Sequence, residues 1–142
     1  MGEVRTESTP LVLAGTILKR DEERRMVFGW AYMAKRADGS AVVDHSGDRV
    51  DNVASLEFSA YEYVLKSREG DVMHTRKTTS VLVESMVFTP EKCEALGLSK
   101  DALPVGWWVG FKILDEDAWE GVKSGKYAMF SIEGKGTYAE AA

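Results

Sequence analysis

Two segments rich in apolar, β-branched and aromatic residues, Leu11 to Leu18 and Met26 to Met33, flank the charged run Lys19 to Arg25. This pattern predicts two strands joined by a solvated turn, a hairpin. Asp38-Gly39 supplies another turn, because glycine takes positive φ at low cost, and Ala41 to Val43 then reads as a short third strand. Ser80 to Phe88 alternates, with Val81, Val83, Ser85 and Val87 on one predicted face and Leu82, Glu84, Met86 and Phe88 on the other. Val105 to Ile113 and Tyr127 to Glu133 complete the set of strands. On the last of these, Ala128, Phe130 and Ile132 share one face, while Tyr127, Met129, Ser131 and Glu133 share the other. Alternation predicts Leu82, Met86, Phe111, Phe130 and Ile132 as inward residues of one core.

Helical signals are fewer. Ser59-Ala60-Tyr61-Glu62 has capping-box spacing ahead of Val64 and Leu65, predicting a helix from about Ser59 to Ser67 that stops near Gly70. Asp71 to Thr75 then reads as a short extended segment carrying His74, followed by a polar loop from Arg76 to Thr79. Thr89-Pro90-Glu91 provides an N-cap, a proline at the first helical position and an early acid, and Gly97 closes that helix. Asp115 to Lys123 runs from acids to a base, as a helix dipole favours, with Trp119 and Val122 inward. The fold class is therefore α+β, a mostly antiparallel β-sheet or barrel with about three short helices packed on it. Residues 1–10 are expected to be a flexible N-terminal segment, and residues 11–142 a single domain.

Composition narrows the function classes. With 142 residues and 44% hydrophobic content, the chain has the size of one ordinary domain and can bury a core without staples. The lone Cys93 has no partner for an internal disulfide, and no Cys or His pair stands at zinc-ligand spacing. The net charge of −5, with basic residues scattered, argues against a nucleic-acid partner. The first ten residues lack the apolar stretch of a signal peptide, and the longest apolar runs are too short to cross a bilayer, so a soluble, cytosolic chain without membrane or cofactor is expected.

Only His45 and His74 are available for imidazole chemistry. Ser131 stands near the end of a predicted strand and is followed by Gly134, Lys135 and Gly136, a turn whose amides are of the kind that forms an oxyanion hole. From the residues alone, an ordinary strand serine before a glycine turn is the stronger reading. Asp44-His45-Ser46-Gly47-Asp48 has metal-ligand residue types, but Asp, Ser and Gly are also turn formers, which is the stronger reading. Trp107 and Trp108 are adjacent on a strand, so one of them faces away from the core side and is placed to line a groove.

A series of pieces occurs in fixed order along the chain: Phe28-Gly29-Trp30-Ala31, Val42-Val43-Asp44-His45-Ser46-Gly47-Asp48, Met73-His74, Leu82-Val83-Glu84-Ser85, Thr89-Pro90-Glu91-Lys92, Pro104 to Phe111, Lys123-Ser124-Gly125 and Met129-Phe130-Ser131-Ile132. In these pieces the chain resembles the XkdF-like family of phage serine proteases. That family is similar in turn to the prohead maturation proteases of tailed phages, with the herpesvirus assemblin type of fold. The resemblance implies a serine endopeptidase with Ser131 as nucleophile, rather than Ser85, and His74 as general base, rather than His45. It implies phage scaffold and capsid proteins as substrates, self-processing, a homodimer, and action in the host cytoplasm within the assembling prohead. Glu84 belongs to a matching piece and is the first choice for a third catalytic member, with Glu133 and Glu140 as rivals. Glu133 also departs from the family pattern, which has glycine directly after the Ser-Ile pair. The alternative is a catalytically inactive structural or interaction domain of the phage assembly machinery.

Overall fold

The computed structural model describes residues 5–7, 11–35, 53–73, 78–134 and 138–140. The expected strand at 41–43 and the Asp44 to Asp48 piece lie outside them. In chain order the elements are β1 (Arg5–Glu7), β2 (Leu11–Thr16), β3 (Lys19–Asp21), β4 (Met26–Lys35), α1 (Val53–Lys66), β5 (Glu69–Asp71), β6 (Ser80–Phe88), α2 (Pro90–Ala95), β7 (Val105–Ile113), α3 (Glu116–Lys123), β8 (Met129–Gly134) and β9 (Tyr138–Glu140). The class is α+β, as expected. β1, inside the segment read as flexible from sequence, pairs antiparallel with β9.

The other seven strands form one antiparallel sheet in the order β2-β8-β5-β6-β7-β4-β3. Its two outermost strands are consecutive in the chain, so residues 11–21 link both ends of the sheet and curl it into a half-barrel. Ile17 and Leu18 mark the crossover: the Ile17 amide donates to the Ala128 carbonyl beside β8, and the Leu18 amide donates to Phe28 on β4. This closure needs the two backbones in contact. A Cβ on Gly15 would stand 2.2 Å from the Trp30 carbonyl oxygen, and one on Gly29 would stand 2.2 Å from that of Thr16. Glycine at both positions permits the approach. The expected hairpin of Leu11–Leu18 with Met26–Met33 is corrected: β2 pairs with β8, the hairpin partner of β4 is β3, and the first half of the expected turn is strand.

β7 lies deep in the sheet and presents Trp107, Val109, Phe111 and Ile113 to the core, all essentially inaccessible to solvent. Phe130 and Ile132 of β8 join them, with the Phe111 and Phe130 rings 5.5 Å apart. α1 lays Leu56, Ala60 and Tyr63 over this core, and the Tyr63 ring meets Trp107 edge-on. The Tyr63 hydroxyl donates to the Glu69 carbonyl, and burial holds its phenol well above the usual tyrosine range. The apolar stripe that defines this helix starts at Val53, six residues before the expected capping box, so Ser59 and Glu62 fall in mid-helix. The helix ends at Lys66, where Arg68 turns the chain with φ 63°, and Gly70 serves another purpose. A Cβ at Gly70 would lie 2.7 Å from the Phe111 ring and from Ser80 Oγ.

A β-bulge between Leu82 and Glu84 corrects the predicted faces of β6. Val83 is the extra residue, so Leu82 opposite Phe111 shares the inner side with Ser85 and Val87, while Glu84, Met86 and Phe88 lie on the outer side. Phe111, Phe130 and Ile132 are fully buried, while Leu82 and Met86 are half-buried. α2 is capped as predicted, with Thr89 Oγ1 accepting from the Lys92 amide and Gly97 at φ 82° beyond the helix end. α3 is capped by Asp115, whose Oδ1 accepts from the Ala118 amide at 2.8 Å. Among the described residues, no helix is long and apolar enough to cross a membrane.

Candidate active site

Strand alternation decides where Ser131 points. Its neighbours Phe130 and Ile132 are wholly buried, so Ser131 takes the opposite, outer face of β8 and is half-buried there. In register it lies between Ala14 of β2 and Asp71 of β5. The Ser131 hydroxyl donates to the Asp71 carbonyl oxygen at 3.1 Å.

Asp71 is the last residue of β5 and is only 7% exposed. Its Oδ1 accepts from the Met73 amide at 2.8 Å and from the Thr79 hydroxyl at 3.4 Å. Thr79 Oγ1 in turn accepts from the Val72 amide at 3.0 Å. The turn that leaves β5 is therefore fixed by two side chains, each taking one backbone amide. An aspartate bonded to the amide two residues ahead mimics a β-turn, so the chain has already turned back when it reaches Met73. His74, the next residue, lies outside the described residues. Covalent reach alone limits it to about 11 Å from the Asp71 backbone.

The other candidates are dispersed. Glu84 is exposed on the outer face of β6, opposite Gly110. The register sets it two strands across and four to five residues along from the Ser131 row, a separation of roughly 15–20 Å. The sheet does not bring Glu84 and Ser131 together. Glu133 and Gly134 continue β8 beside Val12 and Leu11, and Glu140 is paired with Arg5 on β9. Lys135 and Gly136, the remainder of the expected oxyanion turn, lie outside the described residues, as does His45. Ser85, the rival serine, accepts a hydrogen bond from Trp107 Nε1 at 2.8 Å. Cys93 is buried in α2. Trp108 faces the outer side, half-buried against Trp30 with ring centroids 5.3 Å apart, while Trp107 faces the core. Among the described residues, no cluster of three His, Cys, Asp or Glu side chains is arranged to hold a metal ion.

Sequence reasoning passed over Asp71. It takes the residue as the start of an extended segment, and the sequence shows only a carboxylate three positions before a candidate histidine. What the sequence could not supply was the register that sets this residue directly opposite Ser131.

Compared with known proteins, residues 14–140 match a family described as "Putative phage serine protease XkdF". No curated protein and no solved structure matches the chain.

Proposed function

The chain belongs to the family described as putative phage serine protease XkdF, and from that premise we propose that it is a serine endopeptidase of prohead maturation, with Ser131 as nucleophile and His74 as general base. One observation carries the reading: β5 pairs with β8 so that Ser131 faces Asp71, the residue from which the chain runs in three steps to His74. Distant parts of the sequence are joined at this point by a sheet register, as serine–histidine pairs in proteases generally are.

In this mechanism His74 accepts the Ser131 proton as Oγ attacks a peptide carbonyl, then returns it to the leaving amine when the acyl-enzyme forms. Water, deprotonated by the same imidazole, releases the acyl group. The Ser131 hydroxyl donates to the Asp71 carbonyl in this structure, so it swings from that acceptor to the imidazole before reacting. The amides of Gly134, the last residue of β8, and of Lys135 and Gly136 after it are the proposed oxyanion donors. The substrates are scaffold and capsid protein segments, with self-cleavage at the same site, and the setting is the assembling prohead in the host cytoplasm. A curled antiparallel sheet with three helices is compatible with the assemblin type of fold, and a homodimer belongs to the same proposal.

The test is cleavage of a scaffold-derived substrate followed by mass spectrometry. The parent cleaves, and Ser131→Ala and His74→Ala each lose activity by several orders of magnitude while melting at nearly the parent temperature. If both variants cut as fast as the parent, the assignment of this pair fails. A folded parent that cuts nothing under any assembly condition would favour an inactive assembly domain.

A further inference from the structure

We propose that the open margin of β6 between Val83 and Val87 is a docking site for an extended segment of another polypeptide, bound as an added strand beside α1 with a basic side chain against Glu84. The inference goes beyond the proposed protease reading and does not depend on it.

A strand that stands fourth in a row of seven is expected to have neighbours on both sides. β6 pairs with β7 along its whole length, but with β5 only at Ser80 and Val81, because β5 is three residues long. Two hydrogen bonds mark which groups of β6 point away from β7. The Leu82 amide donates to the Arg68 carbonyl at 2.8 Å, and the Val87 carbonyl accepts from Lys92 Nζ at 2.7 Å. In an antiparallel ladder the N–H and C=O of one residue point the same way, and successive residues alternate. The extra residue Val83 shifts the alternation by one, which puts Ser85 and Val87 on the same side as Leu82. Among the described residues, nothing pairs with the Ser85 amide or carbonyl on that side, and Val83, Glu84 and Ser85 are all exposed. Bare strand backbone of this kind is a template for a further extended chain.

The flank of α1 supplies the other wall. Lys92 Nζ also lies 3.0 Å from the Tyr61 hydroxyl, so Tyr61 stands near the Val87 end of the margin. Arg68, two residues past the helix, is bonded at the Leu82 end. Leu65 lies between them and is 69% exposed. An incoming strand alternates its side chains between two faces. One set meets Tyr61 and Leu65, and the other passes Glu84, which has no ion-pair partner among the described residues and is complementary to a lysine or arginine. The margin is also preformed, since Ser85 Oγ is held by Trp107 Nε1 at 2.8 Å. The bulge at Val83 and the neighbouring helix stand against edge-to-edge pairing of two whole sheets, so a single extended segment is the occupant.

The test uses the intact chain and a fluorescein-labelled octapeptide in which valine alternates with threonine around one lysine, with binding read by anisotropy and backbone amide exchange by NMR. In the peptide-free parent the Ser85 amide exchanges fast while that of Met86, which faces β7, is protected; the peptide slows Ser85 exchange about tenfold or more. N-methylation of alternate peptide amides weakens binding about tenfold or more. Leu65→Glu weakens it as well. Glu84→Lys weakens it about 2- to 5-fold, and a peptide with glutamate in place of lysine recovers the loss. Both substitutions are on exposed positions and keep the parent melting temperature. A Ser85 amide as protected as that of Met86 in the dilute, peptide-free parent overturns the proposal, because the margin is then already covered. Protection that grows with protein concentration as the mass rises to that of a dimer also overturns it, and assigns the margin to a second copy. Absence of binding at millimolar peptide, or binding indifferent to N-methylation, overturns it too.

Discussion

Ser131 and Asp71 stand directly opposite each other on adjacent antiparallel strands, and the serine hydroxyl is bonded to the aspartate backbone at 3.1 Å. This contact depends on the closure of the sheet. β8 is held on one side by β5 and on the other by β2, and β2 continues into β3 at the far edge. Anything that opens the crossover of residues 11–21 therefore loosens the strand that carries Ser131.

Gly29→Ala tests that dependence. Its new methyl would sit 2.2 Å from the Thr16 carbonyl oxygen, a backbone atom with little room to yield. The expected cost is about 1–3 kcal/mol of folding stability, read as a lowered urea midpoint with an unchanged m-value. Gly97→Ala provides the contrast: nothing lies within 4 Å of the added carbon, and its effect comes from the positive φ alone.

Lys92 joins α2 to α1 and to β6. Its ammonium lies 3.0 Å from Glu57 Oε2 and 3.0 Å from the Tyr61 hydroxyl, and it donates to the Val87 carbonyl at 2.7 Å. The hydrogen bond from the Tyr61 hydroxyl, opposed by burial and supported by Lys92, holds the Glu57 carboxyl below the ordinary glutamate range. A depressed carboxylate pKa contributes stability that is present above the unfolded-state value and is lost as pH falls through the folded one. Stability should therefore decline on the acid side from about pH 4.5 downward. Lys92→Met should lower neutral-pH stability by about 1 kcal/mol or less and flatten that acid limb, as measured by denaturation at a series of pH values.

How far the sequence speaks depends on whether a feature is local. The boundaries of β6 and β7, the Thr89-Pro90 cap of α2 and the acid-to-base run of α3 are all written in a few consecutive residues, and the structure matches them. The outward direction of Ser131 followed from simple alternation along β8. The faces of β6 were read wrongly beyond Val83, because a bulge inserts one residue without any glycine or proline to announce it. The start of α1 was missed because a capping-box spacing inside the helix looked like its beginning, while the buried stripe from Leu56 to Tyr63 is set by what it packs against. The contact between Ser131 and Asp71 escapes the sequence for a related reason: pairing between β5 and β8 has no signature in either segment alone.

The most direct measurement of the central claim needs no knowledge of the substrate. An organophosphorus fluoridate reacts with a serine whose hydroxyl is activated by a neighbouring base, and peptide mapping by mass spectrometry locates the adduct. The account predicts one adduct, on Ser131, that is absent from Ser131→Ala and from His74→Ala while both variants stay folded. An adduct that persists in Ser131→Ala, on Ser85 or elsewhere, or a parent protein that takes up no label at Ser131, would contradict it.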